Sequence, residues 1–198
     1  GIQLPGEEAG ILRPAARWTP LSVSRIAMGH EVAVTSLQML CLMACVANEG
    51  RLLRPSVILR VVEPRGQTLA QFSPMEVGRP IRPETARLMS RLLMRGTEPG
   101  GTGTRARVEG YTVAGKTGTA QKAIPGGYSD SANVASFMGF LPAEDPELAL
   151  IVVVDEPQPL HTGGLVAAPV FSRIADQLVR YLNVPSSVAA REGAIGGS

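Results

Sequence analysis

The chain has 198 residues, which is long enough for one domain with a hydrophobic core. Apolar residues make up 44% and charged residues 18%, a composition typical of globular proteins. The formal net charge is only +2 and most positive residues are scattered arginines, which argues against a nucleic-acid-binding protein.

The first part of the chain predicts a connecting segment followed by a buried helix. Residues 1–31 are rich in glycine, proline and arginine and are expected to be irregular, with Trp18 in a buried packing role. Thr35 and Gln38 fit the capping-box pattern that begins a helix, and Gly50 is suited to follow its end. The residues between them are apolar on nearly all faces, so this helix is predicted to be buried.

Cys41 and Cys45 are four residues apart in this helix and are predicted to be buried thiols on one helix face. A metal site would need more ligands, and the only histidines, His30 and His161, are distant in sequence. A disulfide within one helix would be strained. We therefore expect no metal and no cofactor. The surrounding apolar run, Leu37–Ala47, is too short to span a bilayer.

The next part of the chain predicts a hairpin and a second helix. Two arms, Leu52–Val62 and Thr68–Phe72, flank a turn that contains proline and glycine. Pro83 is suited to the first position of a helix over residues 83–95. The apolar residues on one side of that helix are Leu88, Met89 and Leu92.

The last part predicts three strands and a closing helix. A flexible, glycine-rich loop at 96–104 precedes strands at Tyr111–Thr119, Val134–Leu141 and Leu148–Asp155, whose short connections favour an antiparallel meander. Residues 122–133 are predicted to be a loop. The final helix has an apolar residue at every fourth position, and this stripe is expected to lie on the sheet. The stripe is Val170, Ile174, Leu178 and Leu182, with Phe171 and Tyr181 beside it.

The strongest functional signal is the string Val-Ala-Gly-Lys-Thr-Gly-Thr-Ala-Gln-Lys at residues 113–122. Its β-branched threonines favour an extended strand, and Gly118 leaves room for a substrate to lie against the backbone. Lys116 supplies a cation and Thr117 a hydroxyl group. One short strand edge can therefore hold a carboxylate by charge and by hydrogen bonds.

Lys116-Thr117-Gly118 matches the third signature of the serine acyltransferases that include penicillin-binding proteins and serine β-lactamases. The longer string resembles the transpeptidase domain of class B penicillin-binding proteins. Further segments resemble that domain in the expected order: Gly1–Glu7, Val34–Met39, Ala47–Gly50, Gly100–Thr104, Ala135–Pro142 and Gly163–Phe171.

The resemblance covers residues 1–184, which it identifies as the carboxy-terminal part of such a domain. Residues 185–198 are predicted to be a disordered tail. The fold class implied is α+β, an α/β sandwich in which an antiparallel sheet has helices on both faces. The chain would form part of a β-lactamase/transpeptidase-like domain, with further strands supplied from upstream.

Two of the three family signatures are not found in their family positions. The nucleophilic serine of the family lies in Ser-x-x-Lys, but neither Lys116 nor Lys122, the only lysines, has a serine three residues before it. Thr119 has this spacing from Lys122, but family nucleophiles open a helix and this stretch runs into Pro125-Gly126-Gly127. Ser131-Ala-Asn133 spells the second signature, but it follows Lys-Thr-Gly and is expected to be loop. We therefore expect the nucleophile upstream, and we expect the isolated chain to be inactive.

The resemblance implies a serine-type D,D-transpeptidase that cross-links peptidoglycan through an acyl-enzyme. It implies that Lys116 helps to bind the substrate carboxylate and supports proton transfer near the nucleophile. The hydroxyl groups of Thr117 and Thr119 would bind the carboxylate of a substrate or β-lactam. The backbone N–H of Thr119 would form half of the oxyanion hole, and Gly118 would let the substrate backbone lie along the strand.

The resemblance also implies partners and a location. The expected ligands are peptidoglycan stem peptides that end in D-Ala-D-Ala, and β-lactams. Expected protein partners are a membrane-embedded glycosyltransferase and the complexes of cell division or of elongation, which sets cell shape; no nucleic acid is expected. The implied location is the bacterial cell membrane, with the catalytic domain outside the cytoplasm.

Two alternative functions fit parts of the sequence. A non-catalytic β-lactam-sensing or scaffold module of the same fold would carry the same motifs. Residues 110–117 also match the P-loop pattern G-x-x-x-x-G-K-[ST], and Asp155 could imitate the magnesium-binding aspartate of such nucleotide-binding proteins. A P-loop opens a helix, whereas strand-forming residues surround Lys116, which disfavours this alternative.

Overall fold

The structure is a computed structural model that describes residue 2 and residues 4–187. Its strands are β1 (Ile11–Leu12), β2 (Val32–Ala33), β3 (Leu52–Leu53), β4 (Arg60–Val62), β5 (Thr68–Gln71), β6 (Glu76–Gly78), β7 (Ala114–Ile124), β8 (Gly127–Leu141) and β9 (Leu148–Asp155). Its α-helices are α1 (Ser22–Ala27), α2 (Ser36–Ala47), α3 (Pro83–Arg95), α4 (Gly163–Val166) and α5 (Ala168–Tyr181). Short 3₁₀ turns cover Ala15–Arg17 and Thr104–Ala106.

The main sheet has the strand order β7-β8-β9 and is antiparallel, which confirms the predicted meander. The prediction of a loop at residues 122–133 is wrong. β7 and β8 continue their pairing as far as Ile124 and Gly127, because Gly126 adopts a positive φ of 87° and reverses the chain tightly. The strand that carries Lys116 is therefore one arm of a long hairpin.

One face of the sheet packs against α5. Phe137 of β8 and Phe171 of α5 are fully buried, with ring centroids 4.7 Å apart in an edge-to-face arrangement. The predicted stripe of α5 is wrong by one position, since the buried face is formed by Ala168, Phe171, Ala175 and Val179. Small alanines let the helix approach the sheet while one phenylalanine fills the space between them. Ile174, Leu182 and Tyr181 are exposed instead.

The other face of the sheet packs against α2 and α3, so helices cover both faces as predicted. The capping box that begins α2 is confirmed: the Gln38 N–H donates to Thr35 Oγ1 at 3.1 Å and the Thr35 N–H donates to Gln38 Oε1 at 2.9 Å. The burial predicted for α2 holds on one side only, because Leu42 is 49% exposed. Cys45 is buried and Cys41 is half-buried, and desolvation raises the pKa of both thiols.

The hairpin and the second helix form as predicted, with two differences. β4 and β5 pair around the turn, but β3 pairs with β6 instead of continuing that hairpin. α3 has Pro83 at its start, and its buried residue is Ala86. The apolar residues predicted for one side of α3 are all exposed, at Leu88, Met89 and Leu92.

The amino-terminal segment and the chain end differ in detail from expectation. The prediction that Trp18 is buried is wrong; it is 37% exposed, and its indole N–H donates to the Arg13 carbonyl at 2.8 Å. Ser187 is buried and its N–H donates to the Gly110 carbonyl at 2.9 Å, whereas the rest of the predicted tail, 188–198, lies outside the described residues. In the described part of the chain, every helix is too short or too polar to cross a membrane.

Candidate active site

Lys116, Thr117, Gly118 and Thr119 lie within β7 at the edge of the main sheet. Side chains alternate along a strand, so Lys116 and Gly118 belong to one face and the two threonines to the other. Among residues 4–187, β7 pairs only with β8, which leaves its other edge open. The P-loop alternative is therefore wrong, since Lys116 lies inside a strand and no helix begins at it.

Three side chains on this edge form a small polar cluster with a fourth from a neighbouring loop. The ammonium group of Lys116 lies at the open edge, where it donates to the Thr117 carbonyl at 2.8 Å and to Thr117 Oγ1 at 3.4 Å. Thr117 Oγ1 hydrogen-bonds to Thr102 Oγ1 at 2.8 Å. Thr119 Oγ1 accepts a hydrogen bond from the Gly163 N–H at 3.1 Å. The cluster thus combines one cation with three hydroxyl groups.

Two glycines at the start of α4 allow this cluster to form. A Cβ atom at Gly163 would lie 2.1 Å from the Ser136 carbonyl oxygen and 2.4 Å from the Gly118 carbonyl oxygen. A Cβ atom at Gly164 would lie 2.3 Å from the Thr102 carbonyl oxygen. Any other residue would therefore force α4 away from the sheet backbone or away from the loop. The glycine pair brings the sheet edge, the loop and α4 into direct backbone contact.

Two residues that contact the motif strand were not assigned to the site by sequence reasoning. Thr102 belongs to the segment predicted only as a flexible loop, and Gly163 opens a segment with no predicted site role. Both residues lie in segments that resemble the family domain, Gly100–Thr104 and Gly163–Phe171. That resemblance is the sequence signal that could have assigned them to the site. Their contacts with Thr117 and Thr119 join residues 15 and 44 positions apart in sequence.

The other motif-like residues lie elsewhere on the hairpin. The Lys122 ammonium pairs with Asp155 at 2.8 Å and with Glu156 at 2.7 Å. Hydrogen bonds to Asp155 and then to Glu156 raise the pKa of Lys122 above its usual range. Ser131 and Asn133 lie within β8, not in a loop, and the Asn133 side chain donates to the Ser131 carbonyl at 3.4 Å.

The described residues hold no group of three or more histidine, cysteine, aspartate or glutamate side chains that could bind a metal ion. What the cluster offers is an ammonium group, hydroxyl groups and an open strand edge. These groups suit a ligand that has a carboxylate and an extended backbone.

Comparison with known proteins gives a consistent result. The family described as penicillin binding protein transpeptidase domain matches residues 1–176. The chain is 36% identical to the probable peptidoglycan D,D-transpeptidase PenA of Neisseria gonorrhoeae, over 91% of this chain and 29% of that protein. It is 39% identical to stage V sporulation protein D of Bacillus subtilis, over 88% of this chain and 27% of that protein.

Solved structures show the same relationship. The transpeptidase domain of Burkholderia pseudomallei penicillin-binding protein 3 superposes with a TM-score of 0.81 and 32% identity, covering 94% of this chain and 54% of that one. Penicillin-binding protein 3 of Mycobacterium tuberculosis in complex with ampicillin has a TM-score of 0.84 and 33% identity, covering 94% and 43%. The chain spans less than a third of the length of PenA and of stage V sporulation protein D.

Proposed function

Because the chain belongs to the penicillin-binding protein transpeptidase family, we propose that it is the carboxy-terminal part of a serine-type peptidoglycan D,D-transpeptidase. One observation carries the proposal: at the open edge of β7 the Lys116 ammonium group and the hydroxyl groups of Thr117 and Thr102 are linked by hydrogen bonds, and the Thr119 hydroxyl group lies two residues further along the same strand. In this proposal the edge binds the carboxylate end of a stem peptide, or of a β-lactam, and presents the scissile carbonyl to a serine outside this chain.

The carboxylate is held by Lys116, Thr117 and Thr119. Lys116 supplies a charge that is exposed to the open edge. Because Thr119 Oγ1 already accepts a hydrogen bond from Gly163, its own hydroxyl proton is free to be donated to a ligand. Hydrogen bonds from such donors to a carboxylate are stronger than neutral ones, and the positive charge of Lys116 adds to the attraction.

The backbone of Thr119 supplies the second role. Residues two positions apart in a strand direct their N–H and C=O groups to the same edge. The Thr117 carbonyl accepts from the Lys116 ammonium at the open edge, so the Thr119 N–H points to that edge as well. There it can donate to the oxyanion that forms at the substrate carbonyl. One such donor typically contributes about 3 kcal/mol of transition-state stabilisation.

Gly118 lets the substrate lie close to the strand. It carries no side chain that could stand beside the open edge, and a Cβ atom on its own face would lie 2.4 Å from Ser136 Oγ of β8. A substrate backbone can then run along the edge as an added strand. This arrangement favours an extended peptide terminus as the ligand.

The reaction that follows from this arrangement is acyl transfer. A serine hydroxyl adds to the carbonyl of the penultimate D-alanine, and its proton is passed, with the support of Lys116, to the nitrogen of the terminal D-alanine. The carbon–nitrogen bond to the terminal D-alanine then breaks and that amino acid leaves. The amine of a second stem peptide attacks the resulting ester, forms the cross-link and releases the serine. The chain contains no Ser-x-x-Lys, so the nucleophile is assigned to the rest of the protein.

The proposal extends to partners and location. Cross-links form between peptidoglycan strands outside the cytoplasm, so we assign the domain to the outer side of the bacterial cell membrane. A transpeptidase needs newly made strands, and a membrane-embedded glycosyltransferase acting in division or elongation would supply them. A β-lactam sensor of the same fold would also be acylated, but it would not join two stem peptides. Release of a cross-linked product therefore separates the two functions.

The test is replacement of Lys116 by alanine in the full-length protein. Acylation by a fluorescent penicillin should slow by about 100-fold or more, since charge stabilisation at the reacting centre is lost. Lys116→Arg keeps the charge and should retain part of the rate. Thermal unfolding should change little in both variants, because Lys116 is exposed.

The matching control is the 198-residue chain alone, incubated with the same penicillin and weighed by intact mass spectrometry. We expect no adduct, because the chain lacks the activated serine. Near-normal acylation of the Lys116→Ala protein would remove Lys116 from the mechanism. A stable adduct on the isolated chain would place the nucleophile inside it and contradict the proposal.

A further inference from the structure

Lys122 is the only lysine besides Lys116, and the proposed chemistry does not use it. It lies on β7 three residues after Thr119. Its ammonium group contacts Asp155 at 2.8 Å and Glu156 at 2.7 Å, at the end of β9. Since β8 lies between β7 and β9, these two ion pairs reach across the middle strand and join the two outer strands of the sheet.

Lys122 also lies at a break in the hairpin. β7 and β8 pair residue by residue from Ala114 to Gln121, and Gln121 lies opposite Asn133. The next pair is Ala123 with Tyr128, so residues 129–132 have only Lys122 opposite them. Lys122 therefore separates the regular part of β7, which includes the proposed site, from an outer hairpin arm formed by residues 123–128.

Thr119 itself is held by its pairing with Ala135 of β8 and by the hydrogen bond from the Gly163 N–H, so the less supported part of β7 is the stretch that follows it. Among the described residues β7 has one neighbouring strand, and its other edge is open. The irregularity removes regular ladder contacts a few residues after Thr119. The outer arm is exposed at Ile124 and Tyr128. If this arm moves, the displacement would pass along the β7 backbone to Thr119. An anchor on the strand between the arm and Thr119 would prevent this.

We propose that Lys122 is a positioning residue that anchors the end of the motif strand to β9 and keeps the Thr119 N–H in place. The inference rests on the proposed function, because it concerns the backbone donor of that site. Lys122 itself does not contact the substrate. The hydrogen bonds to its two carboxylate partners favour the charged form of its amine, as an anchor requires.

A direct chemical role for Lys122 is excluded by its placement. Thr119 and Lys122 are three residues apart on a strand, so their side chains belong to opposite faces and their α-carbons are roughly 10 Å apart. The amine is already bonded to two carboxylates. It is therefore unsuited to act as a base for the Thr119 hydroxyl group, despite the Thr-x-x-Lys spacing.

The experiment compares Lys122→Met with Lys122→Arg in the full-length protein. Binding of a fluorescent penicillin is resolved into the dissociation constant of the first complex and the rate constant of acylation. Lys122→Met should lower the acylation rate constant about tenfold, since a displacement of less than 1 Å misplaces the oxyanion donor. The dissociation constant should change less than about twofold, because the carboxylate-binding side chains remain. Lys122→Arg, which can keep both ion pairs, should restore the rate.

A second variant perturbs the other side of the contact. The double variant Asp155→Asn with Glu156→Gln keeps Lys122 and removes both charges that hold it. It should reproduce the slower acylation of Lys122→Met. It also keeps the test valid if Lys122→Met does not fold, which thermal unfolding would reveal.

The outcomes separate this inference from the proposed function. One result would overturn the anchoring role alone. In that result the wild-type protein is acylated, Lys116→Ala is acylated slowly, and Lys122→Met is acylated as fast as the wild type. A slow Lys122→Met with a normal double variant would also overturn it, since the carboxylates would then be irrelevant. Absence of acylation in the wild-type full-length protein would overturn the proposed function and this inference with it.

Discussion

Replacement of Gly163 by alanine tests whether close contact between α4 and the motif strand is required for the site. The new methyl carbon would lie 2.1 Å from the Ser136 carbonyl oxygen and 2.4 Å from the Gly118 carbonyl oxygen. Even a weakly attractive contact between carbon and a carbonyl oxygen needs about 3.3 Å. Both oxygens belong to the backbone of a paired sheet and have little freedom to move. The start of α4 must therefore move outward by about 1 Å.

The size of the effect follows from this displacement. The hydrogen bond from the Gly163 N–H to Thr119 Oγ1 is 3.1 Å long. A movement of about 1 Å lengthens it beyond hydrogen-bonding range, so the Thr119 hydroxyl loses the partner that orients it. We expect a loss of about 1–3 kcal/mol in the free energy of unfolding, as is usual for overpacking. Acylation should slow by up to about 100-fold, the cost of a displacement of this size at a reacting centre.

The assay is the acylation rate of the full-length protein with a fluorescent penicillin, measured together with its thermal unfolding. Gly127→Ala is the matched control, because it makes the same chemical change in the same sheet. A Cβ atom at Gly127 would meet nothing within 4 Å. That variant should match the wild-type protein in both measurements.

Two results would refute the reasoning about Gly163. A Gly163→Ala protein that unfolds and reacts like wild type would show that the close backbone contact is absent. A protein that loses stability but keeps its acylation rate would show that α4 does not support the site.

Two further predictions concern stability. Phe171→Ala should lower the free energy of unfolding by about 4 kcal/mol in denaturant titrations, because the ring is fully buried against Phe137. Tyr181→Ala, on the exposed side of the same helix, should change the free energy of unfolding by less than about 0.5 kcal/mol. Equal effects of the two substitutions would contradict the assigned faces of α5. The pKa of Glu31 is lowered by the hydrogen bond from Ser22 and by two arginine side chains. Its contribution to stability is therefore fully present above the unfolded pKa and is lost as the pH falls through the lowered folded pKa. Glu31→Gln should weaken the fall of the melting temperature on acidification below about pH 6, and an unchanged pH profile would contradict this.

Several parts of this fold were predictable because their signals are local. The start of α2 depends on Thr35 and Gln38, three residues apart, and the start of α3 depends on the fixed φ of Pro83. The meander of three strands follows from short connections, which leave antiparallel pairing as the simple arrangement. The Lys-Thr-Gly string was found for the same reason, since its residues are adjacent and their chemistry does not depend on the rest of the chain.

The helix α5 shows where local pattern stops being sufficient. Its sequence contains two apolar stripes with four-residue spacing, one through Ile174 and one through Phe171. Hydropathy favours the first stripe, because its residues are larger and more apolar than Ala175. The sheet selects the second, because Phe137 leaves a space that one aromatic ring and two small residues fill. This choice depends on a surface formed by residues far away in sequence.

The amino-acid sequence by itself thus determined the strand that bears Lys116 and Thr119, the helices that flank the sheet and the family to which the chain is similar. Only the tertiary structure brought Thr102 to Thr117, Gly163 to Thr119 and Lys122 to the end of β9. These contacts join residues between 15 and 44 positions apart. The physical reason is that hydrogen bonding within a few residues decides a turn, a cap or a strand, whereas contacts at such separations form only after packing has placed the elements against one another.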